Sequence, residues 1–195
     1  NSLSFLYGEK GELNSAMDAI QKALNIFGES GNTLRQASAR IQLGMLYKDK
    51  GDYKRGLENI LYADSVYLAE GALDNRKVTM NNAGVVYYNQ ADYNKAIEYF
   101  TAAEQFFSKG EFDEYVLVNR ANLAECYYYQ KKFKEAGLIM DEYYGTAVKL
   151  GFNRIAMGMA NIQAKMAFEK GSMDKALRYA TDAFNYSTAS GAADQ

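Results

Sequence analysis

Histidine, proline and tryptophan are absent from this chain of 195 residues, and cysteine occurs once. Without histidine, the chain lacks the side chain that most often moves protons or binds metal near neutral pH. A single cysteine, Cys126, excludes an intramolecular disulfide and leaves the compartment undecided between cytoplasm and periplasm. It stands beside Tyr127 with no histidine to activate it, which points to packing and not to nucleophilic work. No apolar run approaches the roughly 20 residues that span a bilayer, so direct membrane insertion of this segment is not expected, and no signal peptide opens it. Charge of one sign is also scarce. The 22 basic and 24 acidic residues leave a net charge of -2, which offers no field to attract nucleic acid.

Chemistry-bearing clusters are equally thin. The pairs Asp113-Glu114 and Asp141-Glu142 stand without a Gly-rich phosphate cradle, metal-ligand spacing or a nearby nucleophile, and read as solvated surface. Lys131-Lys132-Phe133-Lys134 is a basic turn in a neutral chain, read as surface solubility. No enzyme activity, cofactor or metal is expected.

What the chain does have is a period of forty. Leu43-Gly44-Met45-Leu46-Tyr47, a turn at Gly51-Asp52-Tyr53, then Gly56, Ile60 and Ala63 recur as Ala83-Gly84, Tyr87, Ala91-Asp92-Tyr93, Ala96, Phe100 and Ala103. The next step gives Leu123-Ala124, Tyr127, Lys131-Lys132-Phe133, Ala136, Met140 and Tyr143. A step backward finds Leu3-Ser4, Tyr7, Gly11-Glu12-Leu13, Ala16, Ile20 and Ala23, and a last step forward finds a worn copy at Gln163-Ala164, Ala167, Gly171-Ser172-Met173, Ala176, Ala180 and Ala183. Each unit reads as two antiparallel helices. Small residues mark where the two cross closely, and large ones such as Tyr87 and Phe100 fill the space on either side. Glycine inside a helix costs about 0.5–1 kcal/mol relative to alanine, so Gly44, Gly56 and Gly84 need such a reason.

Leu43-Gly44-x-x-Tyr47 and Ala96-x-x-x-Phe100 resemble the tetratricopeptide repeat (TPR) family, whose first helix carries Leu-Gly-x-x-Tyr and whose second carries Ala-x-x-x-Phe. The resemblance covers essentially the whole chain. It departs from the family in lacking the tryptophan and the closing proline and in a period of 40 instead of 34, which is similar to the longer-helix branch of kinesin light chain and of bacterial peptide-binding regulators. The fold expected is an all-α, right-handed superhelical solenoid of five helix pairs in a single domain, 1–195, with repeats near 1–31, 32–71, 72–110, 111–151 and 152–191. Turns are expected at Gly8 to Gly11 and at each Gly-Asp-Tyr equivalent, with helix stops at Gly31, Gly71, Gly110, Gly151 and Gly191. Asn1 falls inside a first helix and no polar closing helix follows Gly191, so a longer parent protein is expected.

Stacking should place the outer side of the first helices along one groove. The residues there are Asn81, Asn82, Val85, Tyr88 and Asn89 in the third repeat, Asn122, Glu125, Tyr128 and Tyr129 in the fourth, and Asn161 and Lys165 in the fifth. In the long-helix relatives, an asparagine ladder at the place of Asn82 and Asn122 holds the backbone of an extended peptide, a task that suits an amide with both donor and acceptor. The competing reading has these asparagines bonding to neighbouring helices and stiffening the stack. The resemblance thus implies a scaffold for a peptide or protein segment. The alternative is a sensory or self-association segment of a larger bacterial regulator, with a homo-oligomer as its product.

Overall fold

The structure is a computed structural model that describes residues 2–107 and 112–193, with side-chain surroundings described over 12–107 and 112–189. Among these residues there are nine α-helices and no strand: α1 (Ser2–Glu29), α2 (Thr33–Asp49), α3 (Tyr53–Ala69), α4 (Leu73–Asn89), α5 (Tyr93–Glu104), α6 (Glu114–Tyr129), α7 (Phe133–Lys149), α8 (Asn153–Glu169) and α9 (Met173–Ala193). They fall into two compact units, Asn1–Asp92 with α1 to α4 and Tyr93–Gln195 with α5 to α9.

One turn design recurs along the chain. After α2, the Gly51 amide donates to Lys48 O at 2.9 Å and the Asp52 amide to Tyr47 O at 2.9 Å, which satisfies two carbonyls at the helix end and requires a left-handed residue between them. Gly51 supplies it with φ 78, and Gly31, Gly71, Gly151 and Gly171 do the same in their turns. Ala91 (φ 59) and Lys131 (φ 62) hold that conformation without glycine's freedom, so the fold imposes the turn even where the residue resists it. Asp52 then caps α3 by accepting from the Arg55 amide at 3.2 Å.

In the first unit, α2 and α3 cross at Gly44 and Gly56. A Cβ on Gly44 would lie 2.8 Å from Gly56 O and 2.8 Å from Ile60 Cγ1, and one on Gly56 would lie 3.1 Å from Gly44 O, so the close approach inferred from the period is what these glycines permit. Ile60 is fully buried beside the crossing. Ala37, Ile41, Ala63 and Tyr67 close a core between the same two helices, while Leu24 of α1 joins Ala39 and Leu43 in a second. Asp64 on α3 holds α4: it accepts from Arg76 Nε and Nη2 at 2.9 Å each and from Thr79 Oγ1 at 2.8 Å. Helices α2 and α4 also touch directly.

The expected turn at Gly8 to Gly11 is not formed. One helix of 28 residues runs from Ser2 to Glu29 through both glycines. Glu12 stands where Asp52 caps its helix, and glutamate is a helix former that does not favour the N-cap position, so the chain pays two glycine penalties and continues. The side chains of Leu3, Ser4 and Tyr7, and the stop at Gly110, lie outside the described residues.

In the second unit, alanines replace the crossing glycines: Ala96, Ala124 and Ala136 are fully buried, as is Phe100. Asn119 Nδ2 donates to Phe100 O at 3.0 Å and ties α6 to α5. Helices α6 and α8 touch as α2 and α4 do. Met159 and Met166 are buried and fill core space. Two boundaries differ from expectation. Helix α5 ends at Glu104, ahead of the stop expected at Gly110, leaving Phe106 half-buried in a turn, and α9 continues through Gly191 to Ala193. Gly191 is followed by Ala192 and Ala193, two of the best helix formers, and no proline stops the helix.

Candidate functional site

On α4, Asn81, Asn82, Val85 and Tyr88 are half-buried and Asn89 is exposed. Asn89 turns back on its own helix, Nδ2 donating to Val85 O at 2.8 Å. The side-chain amide of Asn82 makes no hydrogen bond among the described residues.

The second unit divides its candidates between two places. Asn122 and Glu125 of α6 share a hollow of about 210 Å³ with Val118, Arg154, Ile155 and Ile162, the last three from α8. Asn122 is half-buried there, and its amide too has no hydrogen-bond partner among the described residues. A donor and an acceptor thus face a gap between two first helices, whose walls are aliphatic and whose rim carries Glu125 and Arg154. Asn161 is exposed and lines neither this hollow nor the next feature.

Toward the ends of α6 and α8 the side chains interlock. Tyr129, 40% exposed, stacks on Tyr93 with ring centroids 5.2 Å apart and planes 5° from parallel, and meets Tyr128 edge-on at 5.2 Å. Tyr128 is buried, and its hydroxyl donates to Glu169 Oε1 at 2.6 Å. Lys131 Nζ donates to both oxygens of the same carboxylate, at 3.0 and 2.8 Å. These contacts explain the local proton affinities. Bonds from Lys131 and then Tyr128 hold the Glu169 carboxyl below the usual carboxylate range, while the bond to Glu169, with burial behind it, pushes the Tyr128 hydroxyl up to about 12. Lys165 Nζ sits 5.8 Å from the rings of both Tyr128 and Tyr129 and forms no ion pair among the described residues.

Sequence reasoning missed two members of this cluster. Lys131, read as a solubility residue, joins Glu169 from 38 positions away, and Tyr93 supports Tyr129 from the preceding repeat. The usable signal was the period, since Lys131 and Glu169 are complementary charges about one repeat apart. Cys126 is fully buried, and burial, with Glu125 adding to it, pushes its thiol up to about 12, so it stays protonated and unreactive near neutral pH. The arrangement offers hydrogen bonds, aromatic faces and, in Lys165, a cation that forms no ion pair among the described residues.

These features define a helix-pair repeat protein, and comparison with known proteins agrees. The chain shares its fold with the nearly identical TPR-like repeats of a kinesin light chain protein from Podosopora anserina, at a TM-score of 0.69 and 12% identity, covering 97% of this chain and 93% of that one. BtubC (BKLC) from P. vanneervenii is similar at a TM-score of 0.78 and 17% identity, covering 97% and 78%, and MamA at 0.59 and 16%, covering 94% and 93%. The fold class is accordingly an all-α, TPR-like solenoid. The family model described as "SNAP: Soluble NSF attachment protein" matches residues 5–109, more than half of the chain, and the chain belongs to that family. None of the curated proteins compared matches it.

Proposed function

We propose that this chain is a non-catalytic scaffold that holds an extended segment of a partner protein against its first helices, at the α6–α8 face of the second unit. Asn122 would pair with a peptide unit of the segment, Tyr129 would stack on an apolar or aromatic side chain, and Lys165 would meet a carboxylate. The observation that carries this reading is the half-buried amide of Asn122, which lines the α6–α8 hollow and has no hydrogen-bond partner among the described residues. A residue kept there to stiffen the stack would bond to a neighbouring helix, as Asn119 does by donating from Nδ2 to Phe100 O. Likeness to TPR-like repeat proteins and membership of a family whose name describes an attachment protein support a scaffold in general terms.

Selection of extended peptides from a random displayed library on the full chain tests the proposal. Binders should perturb amides of α6 and α8 and lose affinity in Tyr129→Ala and Lys165→Ala. Binders that perturb only α3, α5 or α7, or the absence of any binder, would overturn it.

A further inference from the structure

Two positions in the second unit break the forty-residue pattern at one place. Gln163 of α8 stands where the period puts Leu43, Ala83 and Leu123, all of them buried core residues. Gln163 is buried as they are, at 8% exposed, yet its Oε1 makes no hydrogen bond among the described residues. Gly137 of α7 stands where the period puts Leu57 and Ile97. No close crossing explains it, because a Cβ on Gly137 would meet no atom within 4 Å, whereas one on Gly44 would meet Gly56 O at 2.8 Å. A glycine inside a helix and an unpaired buried amide each weaken a fold. Both line the same hollow of about 240 Å³, which is walled by α7, α8 and α9.

The hollow is apolar within and charged at its mouth. Met140, 1% exposed, and Met166 are buried and line it beside the Gln163 amide. Asp141 of α7, Lys170 at the end of α8 and Lys175 in the first turn of α9 line it as exposed residues, and none of the three forms an ion pair among the described residues. The lining shares no residue with the α6–α8 hollow.

We propose that this hollow binds a free α-amino acid with a carboxamide side chain, asparagine or glutamine. The Gln163 amide offers one donor group and one acceptor, and a second carboxamide matches both. Met140 and Met166 flank the short methylene stem. The α-carboxylate meets Lys170 and Lys175, and the α-ammonium meets Asp141. A mouth with both signs of charge selects a zwitterion over a simple anion, which Asp141 repels. The volume lies just below the roughly 300–1,000 Å³ of drug-sized ligand sites, which suits a molecule as small as an amino acid.

Thermal melts and calorimetric titration of the full chain with L-glutamine and L-asparagine test this. A ligand that binds only the folded state raises Tm by mass action, so at least one of the two should raise it and give a saturable heat. Leucine, close in size but without the amide, should bind about tenfold or more weakly, and so should glutaramate, which is glutamine without its ammonium group. Gln163→Leu and Gly137→Ile restore residues of the period and should both lose the response to ligand. Gln163→Leu should itself melt later than the unaltered chain, so its loss of binding cannot come from unfolding. Asn122→Ala should bind the amino acid as before, which separates this site from the peptide site proposed above. The inference is overturned if neither carboxamide amino acid raises the melt, if leucine or glutaramate binds as well as glutamine, or if either period-restoring variant keeps the response.

Discussion

The α2–α3 pair and the α8–α9 pair follow the same backbone plan with opposite side-chain content. Both turn through a left-handed glycine, Gly51 with φ 78 and Gly171 with φ 72, and both turns carry the same two carbonyl-satisfying bonds. Yet Gly44 and Gly56 bring the first pair into backbone contact around a fully buried Ile60, whereas the last pair keeps Ala164 and Ala176 half-buried and Ala180 exposed. Turn chemistry therefore sets the path of the chain, and the residues at the crossing decide how closely the two helices of a pair approach.

The largest effect should come from emptying the closed pair. Ile60→Ala should cost about 2–5 kcal/mol in urea unfolding, because it removes a large side chain from a site with no room to collapse. At the equivalent position, Ala180→Leu should change stability by no more than about 0.5 kcal/mol, as an exposed substitution does. Similar costs at both positions would erase the contrast. Overfilling the crossing comes next. Gly44→Leu should lose about 1–3 kcal/mol, since even a Cβ meets Gly56 O at 2.8 Å, while Ala164→Leu, at the cleft between α8 and α9, should be tolerated.

Smaller effects sharpen the view of the turns. Ala91→Gly should stabilise the chain by about 1 kcal/mol, the cost of holding an L-residue left-handed, and Gly51→Ala should destabilise it by a similar amount. A melt in which Ala91→Gly is neutral would show that the turn stores no strain. The smallest effect is electrostatic. Burial, opposed by Arg120, holds the Glu104 carboxyl above its ordinary value, so its contribution favours the fold below the unfolded pKa and is lost as pH rises through the folded one. Glu169 is held low by Lys131 and Tyr128, so its contribution is present above the unfolded pKa and is lost as pH falls through the folded one. Carboxyl titration by NMR should place the two midpoints on opposite sides of about 4.3.

The period made most of the fold legible, because a forty-residue step fixes helix, turn and crossing together. It failed where one glycine signal serves two purposes. Gly8 and Gly11 look like a turn but lie inside α1, and Ala91 and Lys131 turn without glycine, so tertiary packing outweighs the local residue. At the site, Asn122 could be placed from its register alone. Its freedom from hydrogen bonds could not, because that depends on what α8 presents across the hollow. The Tyr128–Glu169–Lys131 knot escaped a reading made one helix at a time, since its members meet only when the α6 and α8 ends are side by side.

The central claim is that Asn122 is kept for a partner and not for the stack. Its direct test pairs two readings on one variant: the melting temperature of Asn122→Ala, and its affinity for a peptide selected on the unaltered chain. The account predicts an unchanged melt and an affinity loss of about 0.5–1.5 kcal/mol, the net worth of one hydrogen bond, with Asn82→Ala as a second variant whose melt should also hold. An Asn122→Ala chain that melts early by about 1–3 kcal/mol, as an orphaned partner would require, and binds the peptide normally when folded would contradict it.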